Sequence, residues 1–482
     1  MQTNEKNVWT ADTLAEHLKG EWIVAPTEPD WYAAYFAVHG VQSGQSKEQP
    51  VSVIEGIPRQ LSVRSKAFII SKKNKEDFLK NFSSDTRPVI CVEDVDDTLF
   101  TLAKVGRAAF TGKLISITES DDKLSIKDMV SELLKRVGTV QHTFRNRSDR
   151  DGIRSALASC ITKPDYAVVE ASSQFLAGQG TRTRRLISPD ISIITQTAMA
   201  SADELELHTD GEKAVALIKA KIFEFMRPDG IAIMSREMAH YDLVREYAVE
   251  QGVTPVSYGL SFSIGKGDAD AWILDIQENN DEDGSIVRVN IYGEKVSFRM
   301  PFYGVSMALN SLAALTCIYH LGLNVKEAAE HIENLSGGGY HPNLTKVDFE
   351  CGGTATIIDD FSEAQPPSFL DAISALKSKN VKSEGRKIAV LGDIEAYKDP
   401  RYAIGYFSFV MPLQKANFDK VYFVGQDIRR LAEVLPTKKI GGVFDTPEAA
   451  AETIAADIRP HDIILVKVPG TDVTRQTMAM VR

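Results

Sequence analysis

Apolar and polar residues follow two different periods along the chain, and the pattern changes near residue 111. Upstream of that point, Leu14 and Leu18 fall on one side of the segment Ala11–Leu18, which predicts a short helix. Short apolar runs predict strands at Val51–Ile54, Ala67–Ile70 and Val89–Val92. A longer periodic stretch predicts a helix over Val95–Phe110. We therefore predict a small α/β domain over residues 1–110.

Residues 111–338 alternate between short buried-strand patterns and helical patterns. The segment Ser125–Val137 has apolar residues at helical spacing, so it predicts a one-sided helix. Further strands are predicted at Leu114–Thr118, Tyr166–Glu170, Ser192–Thr195 and Ile231–Ser235, and further helices at Glu212–Phe225 and Ser306–Leu321. Gly322 follows the last helix as a C′ residue. This alternation favours a central, doubly wound and mostly parallel sheet.

A glycine cluster at Gly337–Gly339 predicts a linker, and a second α/β set follows it. Its strands are predicted at Thr356–Ile358, Lys387–Leu391, Lys420–Val424 and Ile463–Lys467, and its helices at Phe369–Lys377 and Pro447–Ile458. The predicted fold class is therefore α/β with three domains. The central one (111–338) has a sheet of the P-loop type, and the last (339–482) is a Rossmann-like α/β domain.

Composition narrows the function classes. The 482 residues are 43% hydrophobic and 25% charged, with 66 acidic against 55 basic side chains and a net charge of −11. This balance argues against binding to nucleic acid or to an anionic membrane. The polar N-terminus and the absence of a long apolar run predict neither a signal peptide nor a membrane span. Four cysteines without a CxxC pair indicate a reduced, cytoplasmic compartment.

The turn after the strand Leu114–Thr118 is the position where a nucleotide-binding α/β domain holds phosphate. Glycines there let backbone N–H groups approach the oxygens, a lysine neutralises them, and a hydroxyl binds Mg²⁺. In this chain the turn reads Thr-Glu-Ser-Asp-Asp-Lys-Leu-Ser over residues 118–125, so Lys123 is present and the glycines are not. Lys123 also fits a surface lysine at the start of a helix.

Several stretches resemble the Mur ligase family, in particular the branch that adds D-alanyl-D-alanine to a peptidoglycan precursor. They occur in the family's order between about residues 90 and 470 and comprise Val92–Arg107, Lys113–Thr118, Phe302–Leu312, Thr356–Ser368 and Leu391–Asp393. The first ~90 residues match only weakly. In this family ATP phosphorylates a carboxylate, and an amine then attacks the acyl phosphate, so catalysis consists mainly of positioning and charge stabilisation.

The resemblance implies a role for each matching residue. Thr118, Ser120, Lys123 and Ser125 fit the phosphate loop, but Glu119 and Asp122 replace its glycines and Leu124 replaces the magnesium hydroxyl. The roles implied elsewhere are metal binding by Glu170 and Glu204, nucleotide binding by Asn310 and Asp360, and catalysis by Lys123, Lys219 and Lys467, with Lys219 at the carbamylated position. A second register places Ser201 instead of Glu204 at the metal position, while Ser306 and Ser362 replace a family histidine and tyrosine.

Three hypotheses follow. The leading one is a Mur-ligase-like protein with a degenerate ATP site and no ordinary ATP-dependent ligation. Such a protein would be a scaffold or partner of an active ligase, or would bind a peptide or amino-acid metabolite in an inter-domain cleft. The second is an active amide ligase that uses ATP and Mg²⁺ at a rewired site; otherwise no cofactor is expected. The third is a homomeric or heteromeric interaction protein with an empty cleft.

Overall fold

The N-terminal part of the chain forms a small mixed α/β layer. In this computed structural model the described residues are 8–38, 49–118, 126–144, 147–179, 181–195, 212–261, 269–278, 284–301, 304–335, 343–350, 352–359, 366–379, 381, 384–394, 397 and 403–468. The first strands are β1 Trp9–Thr10, β2 Glu21–Val24, β3 Tyr32–Ala33, β4 Phe36–Val38, β5 Val51–Ile54, β6 Ala67–Ser71 and β7 Val89–Val92. The first helices are α1 Ala11–Leu18, α2 Lys75–Asn81 and α3 Val95–Ala109. Strands β4 to β7 run parallel, β2 lies antiparallel on the β7 edge, and β1 pairs with β3 alone.

The central part is built on a nine-stranded sheet in the order β16-β15-β14-β13-β12-β11-β8-β10-β9. Its strands are β8 Lys113–Thr118, β9 Val140–His142, β10 Tyr166–Glu170, β11 Ile191–Ile194, β12 Ile231–Ser235, β13 Thr254–Leu260, β14 Ala271–Glu278, β15 Ser285–Ile291 and β16 Glu294–Met300. Its helices are α4 Ile126–Leu134, α5 Arg150–Ser159, α6 Thr181–Ile187, α7 Glu212–Ala220, α8 Tyr241–Glu250, α9 Val305–His320 and α10 Val325–Ile332. Strands β8 to β14 are parallel, and β15 and β16 extend the sheet as an antiparallel hairpin.

Helices cover both faces of the central sheet, as in a doubly wound fold. One apolar core joins the sheet to α4, α9 and α10, and the other joins it to α5, α7 and α8. The N-terminal end of α3 contributes Leu99 and Leu102 to the N-terminal core, whereas its C-terminal end contributes Ala103 to the central core. At Gly106 a Cβ atom would lie 2.1 Å from the carbonyl oxygen of Leu157, so the absence of a side chain lets α3 approach α5 closely.

The C-terminal part has a six-stranded sheet in the order β17-β18-β22-β19-β20-β21. Its strands are β17 Asn343–Asp348, β18 Thr354–Asp359, β19 Lys387–Gly392, β20 Lys420–Val424, β21 Ile440–Phe444 and β22 Ile463–Lys467, and its helices are α11 Pro366–Ser378, α12 Val410–Lys415 and α13 Pro447–Asp457. All pairs except β17–β18 are parallel. Shorter helical segments elsewhere are Lys72–Asn74, Cys160–Thr162, Phe175–Gln179, Lys221–Phe225, Ala403–Phe409, Ile428–Leu431 and Thr437–Lys439.

The predicted α/β class with a central parallel sheet is confirmed. Gly322 has a φ of 74°, as its predicted C′ position requires. The helix predicted over residues 212–225 is partly wrong, because the α-helix ends at Ala220 and a 3₁₀-helix continues, a tighter winding that buries both Ile222 and Phe223. The domain boundaries at 110 and 338 stay predictions, and Gly337–Gly339 lies outside the described residues.

Among the helices that the described residues form, none has the length and apolar character needed to cross a bilayer. Cys91, Cys160 and Cys317 are buried free thiols.

Candidate functional site at the carboxyl edge of the central sheet

The candidate site lies where the central parallel strands end. Strands β8 and β10 are neighbours, with Ile117 opposite Glu170, so Thr118 and Glu170 come to the same edge of the sheet. Thr195 directly follows β11 on the other side of β8, and its N–H donates to the carbonyl of Thr118 at 3.4 Å. Ligand sites of open α/β sheets form at this carboxyl edge, because side chains and helix N-termini converge there. Two of the predicted residues therefore lie at the expected end of the sheet.

Glu170 is held in place by the neighbouring strand. Its backbone N–H donates to the hydroxyl of Thr143 at 3.1 Å, and the N–H of the next residue, Ala171, donates to the carbonyl of Ile117 at 2.8 Å. Only 8% of the Glu170 surface is exposed. A carboxylate that is buried to this extent needs a nearby positive charge or must take up a proton.

Lys127, in the first turn of α4, provides such a charge. Its Nζ lies 3.6 Å from Oε2 of Glu170 and 3.4 Å from Oδ1 of Asp128, and its side chain is 1% exposed. Burial raises the pKa of Glu170, and the Lys127 ammonium acts in the opposite direction. Sequence reasoning did not identify Lys127. The available signal was its spacing, because Lys127 precedes Ser131 and Leu134 by four and seven residues, and both lie on the buried side of the helix.

Lys219, which the resemblance places at the carbamylated position, is fully buried near the end of α7. Its charge acts on Glu170 and, like that of Lys127, opposes the rise in pKa that burial causes in that carboxyl. The structure therefore brings Glu170 and Lys219 into one electrostatic environment and adds Lys127 to it.

Among the polar atoms that are buried and have no hydrogen-bond partner in the described part of the chain, some lie around the ends of β8, β9 and β10. They are Oγ1 of Thr118, Oγ of Ser173 and Nε2 of His142. Nδ1 of His142 lies 2.9 Å from the carbonyl of Thr143, and burial lowers the pKa of His142 to about 4, so the ring is neutral near pH 7. Unsatisfied buried polar groups are uncommon and often mark functional sites. Thr118 was predicted from the sequence, whereas Ser173 and His142 were not.

Two further predicted residues lie on other elements of the fold. Asn310 is half-buried in the second turn of α9, the helix that packs beside α4. Lys467 is the last residue of β22 in the C-terminal sheet, opposite Leu391 of β19, and is fully buried. At the same sheet edge, Asp393 accepts hydrogen bonds from the N–H groups of residues 426, 427 and 428 and so fixes the loop after β20. The structure thus assigns a structural role to the Asp393 carboxylate.

The remaining predicted residues, which are Ser120, Lys123, Ser125, Glu204 with its alternative Ser201, and Asp360, lie outside the described residues. Their roles therefore stay predictions.

A divalent cation does not fit the charges described at this edge. Glu170 offers one carboxylate, but the Lys127 ammonium already lies 3.6 Å from it, with Lys219 close by. Within the part of the chain that the structure describes, no three Cys, His, Asp or Glu side chains form a group that could hold a metal. As described, Glu170, to which the resemblance gives a metal-binding role, is paired with a lysine.

Comparisons with known proteins agree on one family. Residues 117–318 match the model of the Mur ligase middle domain. The UDP-N-acetylmuramoyl-tripeptide–D-alanyl-D-alanine ligase of Bacillus subtilis (strain 168) is 24% identical over 312 residues, which cover 64% of this chain and 62% of the relative. The Escherichia coli (strain K12) ligase of the same name is 22% identical over 397 residues, covering 80% and 79%.

Solved structures extend the likeness in fold to the whole chain. MurF from Acinetobacter baumannii superposes with a TM-score of 0.71 at 19% identity, covering 98% of this chain and 99% of that one. The MurF ligase of Thermotoga maritima in complex with ADP superposes with a TM-score of 0.64 at 19% identity, covering 93% and 98%. At these identities the structural likeness establishes the fold.

Proposed function

Because residues 117–318 match the Mur ligase middle domain and the chain shares the fold of MurF, we propose that it is a non-classical, ligase-like member of the Mur ligase family. In this proposal the protein holds a small carboxylate or peptide metabolite in the cleft between its domains, and it does not carry out ordinary ATP-dependent ligation. A cytoplasmic site of action and a role in peptide or amino-acid metabolite biosynthesis are part of the proposal.

The observation that carries the proposal is the buried Lys127 beside Glu170, the carboxylate to which the resemblance gives a metal-binding role. A ligase of this family needs Mg²⁺ to shield the phosphates of ATP, and a cation at Glu170 would meet the ammonium of Lys127, whose Nζ lies 3.6 Å from Oε2 of the carboxylate. The sequence of the neighbouring loop supports the same conclusion. Glu119 and Asp122 add negative charge where the triphosphate would lie, and Leu124 cannot bind a metal through a hydroxyl.

Calorimetric titration with Mg·ATP tests this proposal directly. We expect no binding at physiological nucleotide concentrations and no ADP release when carboxylate and amine mixtures are added. Tight binding of Mg·ATP together with ADP release that depends on a carboxylate and an amine would overturn the proposal.

A second candidate, an active amide ligase, is favoured by the placement of Lys219. This lysine is fully buried close to Glu170, and burying two charged groups costs free energy unless they are well paired or are kept for function. In the family reaction a carboxylate oxygen attacks the γ-phosphorus and ADP leaves. The amine then attacks the acyl carbon, phosphate leaves, and the nitrogen loses a proton.

The variant Lys219→Gln separates this candidate from the first. If the chain is active, the variant should lose ADP release by more than about 100-fold, because a group that stabilises transition-state charge is removed. Lys213→Gln is the matched control, because Lys213 is an exposed lysine on the same helix. Equal activity of the two variants would rule out a catalytic Lys219.

The partner part of the proposal has a separate test. If the chain assists an active ligase, the two should elute together in gel filtration, whereas the isolated chain should elute at the size of a monomer or of a homo-oligomer. The weak match of the first ~90 residues to the family supports a substrate other than the UDP-linked tripeptide named for the relatives.

A further inference from the structure

Lys127 differs from an ordinary helix lysine in both burial and surroundings. It lies in the first turn of α4, yet its side chain is 1% exposed. Lysine side chains usually extend their charge into water, so a buried ammonium implies that nearby acidic groups hold it. Glu170 and Asp128 are two such groups, at 3.6 Å and 3.4 Å from Nζ.

The two acidic partners are not equivalent. The Asp128 side chain is 33% exposed and can be hydrated, whereas the Glu170 side chain is 11% exposed and its residue is fixed through the Thr143 hydroxyl. The energetic requirement for a counterion therefore falls mainly on Glu170. The ammonium is close enough to repel any second cation that approaches the same carboxylate, and this repulsion is little screened at a buried site.

We propose that Lys127 is a positioning residue that acts as an internal counterion and excludes free divalent cations from the Glu170 carboxylate. This inference rests on the proposed function, since it explains why the chain would not use the metal-dependent chemistry of its relatives. It also makes a stronger claim, namely that the exclusion depends on one charge and can be removed by one substitution.

Manganese binding is the direct test, because Mn²⁺ is detected by electron paramagnetic resonance of the free ion without any enzymatic turnover. We expect weak binding to the unaltered protein. Binding to both Lys127→Gln and Lys127→Met should be tighter by at least about tenfold, because a like charge within a few ångströms is gone. Glutamine keeps a hydrogen-bond donor, so it guards against a methionine variant that fails to fold, and circular dichroism checks both.

Three further variants make the result specific. Lys127→Arg keeps the charge and should bind Mn²⁺ as weakly as the unaltered protein. The double variant Lys127→Gln/Glu170→Gln should lose the gained affinity, because the carboxylate ligand is gone. Lys135→Gln removes a lysine at the end of the same helix, where it pairs with Glu132 at 2.6 Å, and should not change Mn²⁺ binding.

The outcomes separate this inference from the proposed function. If the folded glutamine variant binds Mn²⁺ as weakly as the unaltered protein, the inference is overturned, while the absence of ADP release would still support a non-classical ligase. If the unaltered protein binds Mn²⁺ tightly, the inference and the observation behind the proposed function both fail. Tighter binding in Lys127→Arg would show that lost packing, rather than lost charge, opened the site.

Discussion

Removing the Lys127 charge should destabilise the central domain in a manner that depends on pH. In Lys127→Met, the buried Glu170 loses a counterion that lies 3.6 Å away in the unaltered protein. The variant can respond by protonating the carboxyl. Protonating a carboxyl of ordinary pKa 4.5 at pH 7 costs about 3.4 kcal/mol. The free energy of unfolding can therefore fall by no more than this amount through the uncompensated charge. Because Lys219 still compensates part of the charge, we expect a loss of about 2–3 kcal/mol.

The sign of the pH dependence follows from the Glu170 carboxyl. In the variant its folded pKa lies above its unfolded pKa, so the folded state binds the additional proton. The loss of stability should therefore be smallest below pH 4.5 and should grow towards pH 7, with about 0.8 kcal/mol or less expected at pH 5. Urea unfolding at pH 5 and pH 7, followed by tryptophan fluorescence and circular dichroism, measures this difference.

A double-mutant cycle completes the measurement. Glu170→Gln should restore most of the stability lost in Lys127→Met at pH 7, because the uncompensated charge is then absent. Lys135→Met, at the end of the same helix, should change the free energy of unfolding by less than about 0.5 kcal/mol. An equal loss at both pH values, together with no rescue by Glu170→Gln, would refute the electrostatic reasoning and indicate a packing defect.

Three further outcomes are expected. Burial lowers the pKa of His142 to about 4, so its ring takes up a proton more readily in the unfolded chain. The free energy of unfolding should therefore fall by about 2–4 kcal/mol between pH 6.5 and pH 4. Acid titration followed by circular dichroism should show a flatter profile for His142→Gln. Asp457 is drawn from its ordinary pKa to about 2 because hydrogen bonds from Lys420, Tyr422 and Arg386 outweigh its burial. Its contribution of about 1–2 kcal/mol should therefore persist above pH 4, disappear towards pH 2 and be absent in Asp457→Asn, as urea midpoints would show. Gly106→Ala should cost about 3 kcal/mol, visible as a lower melting temperature, because its Cβ would meet the backbone between α3 and α5, and an unchanged melting temperature would contradict the close packing.

The sequence was most informative where one physical constraint dominates. Buried parallel strands such as Tyr166–Glu170 read as continuous apolar runs and were predicted at their observed bounds, and the carboxyl-edge position of Glu170 followed from them. The hairpin β15–β16 was not predicted, although its first strand alternates buried and more exposed residues, because neither strand has the continuous apolar run that marked the parallel strands. The short β9 and helix α5 were also missed.

Site prediction had a different limit. The resemblance singled out Glu170 and Lys219 as candidates but not Lys127, because a lysine next to an aspartate on a helix usually belongs to a solvated face. Its spacing from Ser131 and Leu134 places Lys127 on the buried side of the helix, but the acidic group that it meets there depends on tertiary packing against β10, which spacing does not encode. The unsatisfied hydroxyl of Ser173 and the ring nitrogen of His142 are equally tertiary properties.

Helix α3, which ends next to the predicted boundary at residue 110, links the N-terminal and central cores. Leu99 and Leu102 belong to the N-terminal core and Ala103 belongs to the central core, so the same helix packs in both cores. Arg154 of α5 and Arg182 of α6 bind Asp96 and Asp97 on the same helix at 2.7 Å and 3.0 Å. Cutting the chain at residue 110 would therefore not give two fragments that fold independently. The shorter fragment would contain α3 without α5 and α6, against which that helix packs. The first 110 residues and the central sheet should therefore melt as one cooperative unit.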